Sequence, residues 1–303
     1  MVCGVFYQDY IIRSMIKILR QYSLVSKICK LAERMASGFV IAVLCVCVFF
    51  QNTALAFEGK VPMGDLEPGA HDRPVQCDEQ IHDGTSYIVC RAAPDADIRL
   101  FLNGEDEKPF KHFNVVNEKL AKDGERLVFA MNAGMYHQDR SAVGFYVEGW
   151  KTLKALNTND GPGNFHLKPN GVFLVWAEDG SRGARVVESG EVSKQDYIQY
   201  ATQSGPMLVI EGEIHPRFIS GSDSRKRRNG VGVTSSGEAI FVLADTPVNF
   251  HDFAMFFRNE LQTPNALFLD GTISRVYAPD LGRNDPGAAM GPIVGVVETI
   301  KEE

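Results

Sequence analysis

The feature that most constrains this chain is a recurring pattern of short apolar runs, each halted by Gly, Asn or Asp. Val128-Phe-Ala-Met131 stops at Asn132-Ala-Gly134, Met207-Leu-Val-Ile210 at Glu211-Gly212-Glu213, and Ala266-Leu-Phe-Leu269 at Asp270-Gly271. Runs of this length, bounded by turn residues, read as buried strands. Glycine permits the tight turn or close backbone approach that follows, and Asn or Asp leaves a polar group at the strand end. Such a chain builds its core from sheets and gathers polar side chains where strands stop.

The same rhythm runs through the sequence. Residues 85–91 and 98–102 read as an antiparallel pair, and residues 142–147, 171–176 and 184–187 as further strands. Residues 230–234 and 238–244 flank Ser235-Ser236-Gly237 as a hairpin. Helical spacing appears at residues 110–121 (Phe113, Val116, Leu120) and 249–261 (Phe253, Phe256, Phe257, Leu261). The expected fold class is α+β: a single domain on a large mixed or antiparallel sheet with flanking helices.

Residues 1–56 read as a secretory leader. Lys17, Arg20, Lys27, Lys30 and Arg34 precede an apolar run over 38–50, and Thr53-Ala54-Leu55-Ala56 puts small residues where a signal peptidase reads. The run falls short of the roughly 20 residues of a bilayer span. Cleavage after Ala56 is expected, with an uncleaved anchor as the alternative. The protein is therefore expected in the periplasm or outside the cell, meeting a membrane only through an uncleaved leader.

Without the leader's six Lys/Arg and two Asp/Glu, the remainder carries 25 basic and 36 acidic residues, a net charge near −11. That field repels nucleic acid, which is excluded as a partner class. Residues 57–303 hold two cysteines, Cys77 and Cys90. In an exported chain they are expected to form a disulfide closing a hairpin-sized loop, contributing roughly 3 kcal/mol.

Several polar groups stand where chemistry can occur. Asp270 ends an apolar strand beside Gly271, a placement that desolvates a carboxylate; an Asp-Gly turn is the plain alternative. Arg225-Lys-Arg-Arg228, followed by Asn229, is a basic run in an acidic protein; it reads as a phosphate-binding fork or as a solvated loop. In Asn164-Phe-His166-Leu-Lys168-Pro-Asn170, alternation puts His166, Lys168 and Asn170 on one side of an extended segment leading into a strand. Ser204 and the Gly205 N–H form a candidate anion-binding corner before Pro206. Asp139, Asp245 and Asn249 are further candidates. His137, His215 and His251 lack metal-ligand spacing. No cofactor is expected, and a divalent cation held by aspartates stays open.

Taken together, Asn132-Ala-Gly134, the 163–171 segment, Ser204-Gly205-Pro206 and Asp270-Gly271-Thr-Ile-Ser274 resemble, in order and interval, the phosphodiester glycosidase family over about residues 127–297. The resemblance implies an exported bacterial hydrolase that cleaves a sugar-1-phosphodiester at the anomeric C–O bond, acting on a sugar-phosphate or glycan substrate. It implies Asp270 as the reacting carboxylate, with Asn132, Gly134, Lys168, Asn170, Ser204, Gly205, Arg225, Arg228, Asn229, Gly271 and Ser274 as substrate-binding residues. Thr272 replaces a family glycine, which puts the turn's geometry in question. Two other readings stand beside it: a glycan-binding protein of envelope or exopolysaccharide assembly without turnover, and a metal-dependent phosphodiesterase.

Overall fold

Strands buried along much of their length, such as β12 and β13, organise the core into sheets. The computed structural model describes residues 73–192 and 196–300, and the expected leader lies outside them. In chain order the strands begin with β1 (Val75–His82), β2 (Thr85–Ala92), β3 (Asp97–Phe101), β4 (Glu125–Asn132), β5 (Tyr146–Glu148) and β6 (Lys151–Lys154). Next come β7 (Gly171–Glu178), β8 (Ser181–Glu188), β9 (Ile198–Ser204), β10 (Met207–Ile210) and β11 (Glu213–Ile214). The last are β12 (Asn229–Val233), β13 (Ala239–Ala244), β14 (Asn265–Asp270), β15 (Val276–Ala278), β16 (Arg283–Asn284) and β17 (Ile293–Thr299). Helix α1 (Phe113–Ala121) lies between β3 and β4. Helix α2 (Phe250–Met255) precedes β14 and continues as a π-helical turn over Phe256–Glu260.

The strands form three sheets, ordered β1-β2-β13-β12-β14-β10-β11, β16-β15-β4-β17-β3 and β6-β5-β9-β7-β8. Every strand pairing among the described residues is antiparallel. The expected large mixed or antiparallel sheet is thus antiparallel, and it is divided into three sheets. The described residues are dominated by antiparallel sheets, with few helices.

The expected pairing of residues 85–91 with 98–102 is also corrected. β2 pairs with β1 and β13, whereas β3 pairs with β17. The reason is local. Asp83 (φ 47°) and Gly84 (φ 73°) make a two-residue turn that folds β1 directly onto β2. β1 has no continuous apolar run, because Gln76, Asp78, Gln80 and His82 occupy one face and Glu79 interrupts the other. The Cys77–Cys90 disulfide joins directly opposed residues of this hairpin. Residues 142–145, expected as strand, contribute only an isolated bridge from Ala142 to Tyr136, and the strand begins at Tyr146.

Aromatic packing holds the sheets together. Phe241 of β13 lies 4.9 Å from Phe129 of β4 and 5.6 Å from Phe173 of β7, ring centre to ring centre, so one side chain touches all three sheets. Each such ring, fully buried, contributes about 1.5–3 kcal/mol. On the opposite face of the first sheet, Phe256 stacks on Tyr87 at 4.0 Å, and Phe253 and Phe257 are buried beside it. Asn249 caps α2 by accepting from the Asp252 N–H at 2.8 Å, which fixes the start of the expected helix.

Two hydroxyls then tie the strand ends to one another. Thr202 donates to the Ala133 carbonyl at 2.6 Å, and Ser204 to the Leu269 carbonyl at 3.1 Å. Across the first sheet Asn229 stands opposite Asp270. The ends of β4, β9 and β14 and the start of β12 are thereby gathered at one place.

Candidate active site

Asp270 closes β14, with 8% of its surface exposed. The chain turns back over its carboxylate. Oδ1 accepts from the Gly271 N–H at 2.6 Å and the Thr272 N–H at 2.9 Å, and Oδ2 from the Ile273 N–H at 3.4 Å. Burial raises the Asp270 pKa above the ordinary carboxylate value, and these three N–H groups partly offset that rise. Oδ2 is the oxygen with the longer hydrogen bonds, so it is the freer to engage a reacting centre.

Neither residue after Asp270 is in the left-handed region. Gly271 sits in a tight place: a Cβ there would stand 3.1 Å from Phe268 Cζ and 3.4 Å from Arg228 Nη1. Thr272 has no need to be glycine, and its N–H serves the carboxylate. The turn therefore forms with threonine at the position where the family pattern has glycine.

Behind Asp270 lies a buried amide pair. The Asn132 side chain donates to Asp270 Oδ2 at 3.2 Å and accepts from the Arg275 N–H at 2.9 Å. Asn229 donates to the Asn132 carbonyl at 2.7 Å, and Ser274 Oγ lies 3.3 Å from Asn229 Oδ1. Asn132 and Asn229 have no exposed surface. The structure thus places Asn132, Asn229 and Ser274 as supports that orient the carboxylate, not as groups on the cavity wall. Gly134 follows at φ 133°, and a Cβ there would lie 2.9 Å from Thr202 Oγ1, so only glycine lets the chain leave β4 beneath β9.

The basic run is sorted by period-2 alternation. Lys226 pairs with Val248 through two backbone hydrogen bonds and the Ala244 N–H donates to the Arg228 carbonyl, so the segment is extended before β12 begins. Lys226 and Arg228 line one cavity. Arg225 and Arg227 face the other way: Arg227 pairs with Asp245 and Asp285, and Arg225 lies 3.9 Å from Asp252. The expectation that Arg225 would join Arg228 is corrected; Lys226 takes that place, and strand alternation in the sequence was the available signal.

Arg228 is 2% exposed and has no carboxylate partner among the described residues. Its Nε donates to the Val248 carbonyl and its Nη2 to the Ser224 carbonyl, each at 2.8 Å. The guanidinium lies 3.7 Å over the Phe250 ring. Burial lowers its pKa to about 10, so it remains cationic at neutral pH. Nη1 is left free beside Gly271.

These groups meet in a cavity of about 550 Å³ lined by Met135, Tyr136, Asn164, Lys226, Arg228, Phe250, Asp270 and Thr272, among others. Asp270 is the one carboxylate among its described lining residues. Tyr136, Asn164 and Phe250 were not singled out from the sequence as binding residues. Asn164 and Tyr136 neighbour motif residues, but Phe250 came with no local signal.

Other expected residues stand elsewhere. Lys168 does not line the cavity; its ammonium donates to Asp160 at 2.6 Å and to the Thr158 carbonyl at 2.8 Å. Asn170 is buried and donates to the Phe165 carbonyl; Gly205 packs against it, with room for no Cβ. The Ser204 hydroxyl is committed to Leu269, so the anion-binding corner with Gly205 is not formed. Asp245 pairs with Arg227 and Arg283, Asn249 caps α2, and Asp139 accepts from Ser141 in an exposed turn. His215 is buried and stacks on Phe218, and His251 neighbours Asp252. Among the described residues no group of three or more His, Cys, Asp or Glu side chains gathers as a metal site.

Comparison with known proteins gives a family and a likeness of fold. The family model for phosphodiester glycosidases matches residues 125–297, more than half of the chain, from the start of β4 into β17. The uncharacterized protein YigE of Escherichia coli K12 is 41% identical over 148 residues, covering 49% of this chain and 57% of YigE. The match thus spans little more than half of that relative's length. Among solved structures, the catalytic domain of zebrafish N-acetylglucosamine-1-phosphodiester alpha-N-acetylglucosaminidase, auto-inhibited by its pro-peptide, aligns with a TM-score of 0.53. That alignment covers 75% of this chain and 84% of the other at 12% identity, a likeness of fold. On the strength of the family match, the chain belongs to the phosphodiester glycosidase family.

Proposed function

We propose that this protein hydrolyses a sugar-1-phosphodiester at the anomeric carbon, releasing a free sugar and a phosphomonoester outside the cytoplasm. The observation that carries this reading is the juxtaposition of a buried, acid-free Arg228 and a buried Asp270 on one cavity. In the reaction the C1–O bond breaks and its electron pair stays on the phosphate oxygen. Water oxygen becomes bonded to C1 and a proton is released. A phosphomonoester leaves without protonation, so a second carboxylate acting as general acid is dispensable. What the chemistry needs is a cation for the phosphate and a carboxylate for the oxocarbenium-like centre. Arg228 Nη1 and Asp270 Oδ2 supply these, while Asn132 and the Gly271, Thr272 and Ile273 N–H groups hold the carboxylate in place.

The test is turnover of N-acetylglucosamine-1-phosphate methyl ester, UDP-N-acetylglucosamine and related sugar-1-phosphate esters in H₂¹⁸O, with Asp270→Asn alongside. Label in the released sugar, and loss of turnover in the variant, are expected. Label in the phosphate would assign P–O cleavage instead. Binding of the panel without turnover in either protein would identify a glycan-binding module.

A further inference from the structure

A phosphodiester carries one negative charge, and Arg228 is matched to one. The phosphomonoester that leaves carries close to two at neutral pH, since its second pKa is about 6. Breaking the C1–O bond therefore adds roughly one charge to a phosphate that a single cation already holds. A group that meets this added charge binds the transition state and product better than the substrate, the kind of interaction that raises kcat.

We infer that Lys226 is that group, a second leaving-group cation that selects the dianionic phosphomonoester over the monoanionic diester. The inference rests on the phosphodiester glycosidase reading of the cavity given above. Three observations carry it. Lys226 lines the same cavity as Arg228, two residues earlier on the same extended segment and so on the same side, with Cα atoms about 6.6 Å apart. It has no carboxylate partner among the described residues, whereas Arg225, facing away, has Asp252 and Arg227 has Asp245 and Asp285. Among the described residues it forms no ion pair with Asp270, whose carboxylate accepts from three backbone N–H groups and Asn132. The two cations divide the work by their chemistry. Arg228 is fixed by two carbonyls and an aromatic ring, a preorganised donor for charge already present. Lys226 is exposed and flexible, a point charge able to follow an oxygen as it gains charge and recedes from C1.

Binding of methyl phosphate and dimethyl phosphate at pH 8, followed by NMR titration, separates the two roles. The first is a dianion at that pH and the second a monoanion, so Asp270 keeps one protonation state throughout. The wild type is expected to prefer methyl phosphate about tenfold, or about 1.4 kcal/mol. In Lys226→Met the preference falls to within about twofold while dimethyl phosphate affinity stays unchanged, and Lys226→Arg restores it. With a turned-over diester, Lys226→Met lowers kcat and leaves KM near the wild-type value. A tenfold preference retained in Lys226→Met, or equal binding of both anions by the wild type, overturns the role of Lys226 alone. Failure of the wild type to bind either anion overturns the phosphate reading of the cavity as well.

Discussion

The Asn132 side-chain N–H₂ reaches Asp270 Oδ2 at 3.2 Å while its own oxygen is held by the Arg275 N–H, so its orientation cannot reverse. A residue at the end of β4 in one sheet thereby fixes a carboxylate at the end of β14 in another. Replacing Asn132 by Ala removes a donor from a buried carboxylate and an acceptor from a buried N–H. The expected cost is about 1–3 kcal/mol in urea unfolding. A fall in kcat larger than any rise in KM would mark Asn132 as a positioning residue. Asn132→Asp places a second carboxyl beside the first and moves the acid limb of the rate profile to higher pH.

Asp270 also sets a pH dependence with a definite sign. Its folded pKa is raised by burial, so the native state keeps a proton that the unfolded carboxyl, near 3.9, has already released. Its contribution to stability is fully present below that unfolded value and is lost as pH rises through the folded value. Activity runs the other way, increasing as the carboxylate ionises, with a midpoint above 3.9. Asp270→Asn is expected to lose about 10²–10⁴-fold in turnover and to flatten this part of the stability profile. Denaturation series from pH 3.5 to 7 on both proteins check the second outcome.

Arg228 is a buried cation without an acid, an arrangement that costs stability until an anion arrives. Arg228→Met is expected to unfold at the same or a higher temperature than the wild type in the absence of ligand. It should also lose the thermal shift that methyl phosphate gives the wild type. Arg228→Lys should fail as well, since an ammonium cannot span the Val248 and Ser224 carbonyls while lying flat on Phe250. A Lys variant with wild-type affinity would refute the preorganised fork.

Lys168 and Arg225 serve as controls on the placement of charge. Both are committed outside the cavity, Lys168 to Asp160 and Arg225 toward Asp252. Lys168→Met and Arg225→Met are expected to change kcat/KM by less than about twofold, because exposed ion pairs contribute at most about 1 kcal/mol. A loss of tenfold or more in either would move the phosphate site.

Thr272→Gly restores the glycine of the family pattern and is expected to leave turnover unchanged. It should cost about 0.5–1 kcal/mol, because glycine has more backbone freedom to lose on folding. A large gain in activity would show that the threonine had been restraining the turn.

What the sequence determined by itself was local. The apolar run of β14 ends at Asp270, the Ser235–Gly237 turn folds β12 onto β13, Asn249 caps its helix, and Cys77 with Cys90 closes a hairpin. Each depends on residues within a few positions along the chain, where side-chain periodicity, turn conformation and capping operate. Tertiary structure decided the rest. It sent β2 and β3 to different sheets, turned Lys226 instead of Arg225 into the cavity, and placed Asn132 behind the carboxylate. Those outcomes depend on register between segments far apart in sequence, and a shift of one residue in a strand reverses which side chains face the core. Phe250 shows the limit most plainly: only the packing of α2 against the first sheet brings its ring beneath Arg228.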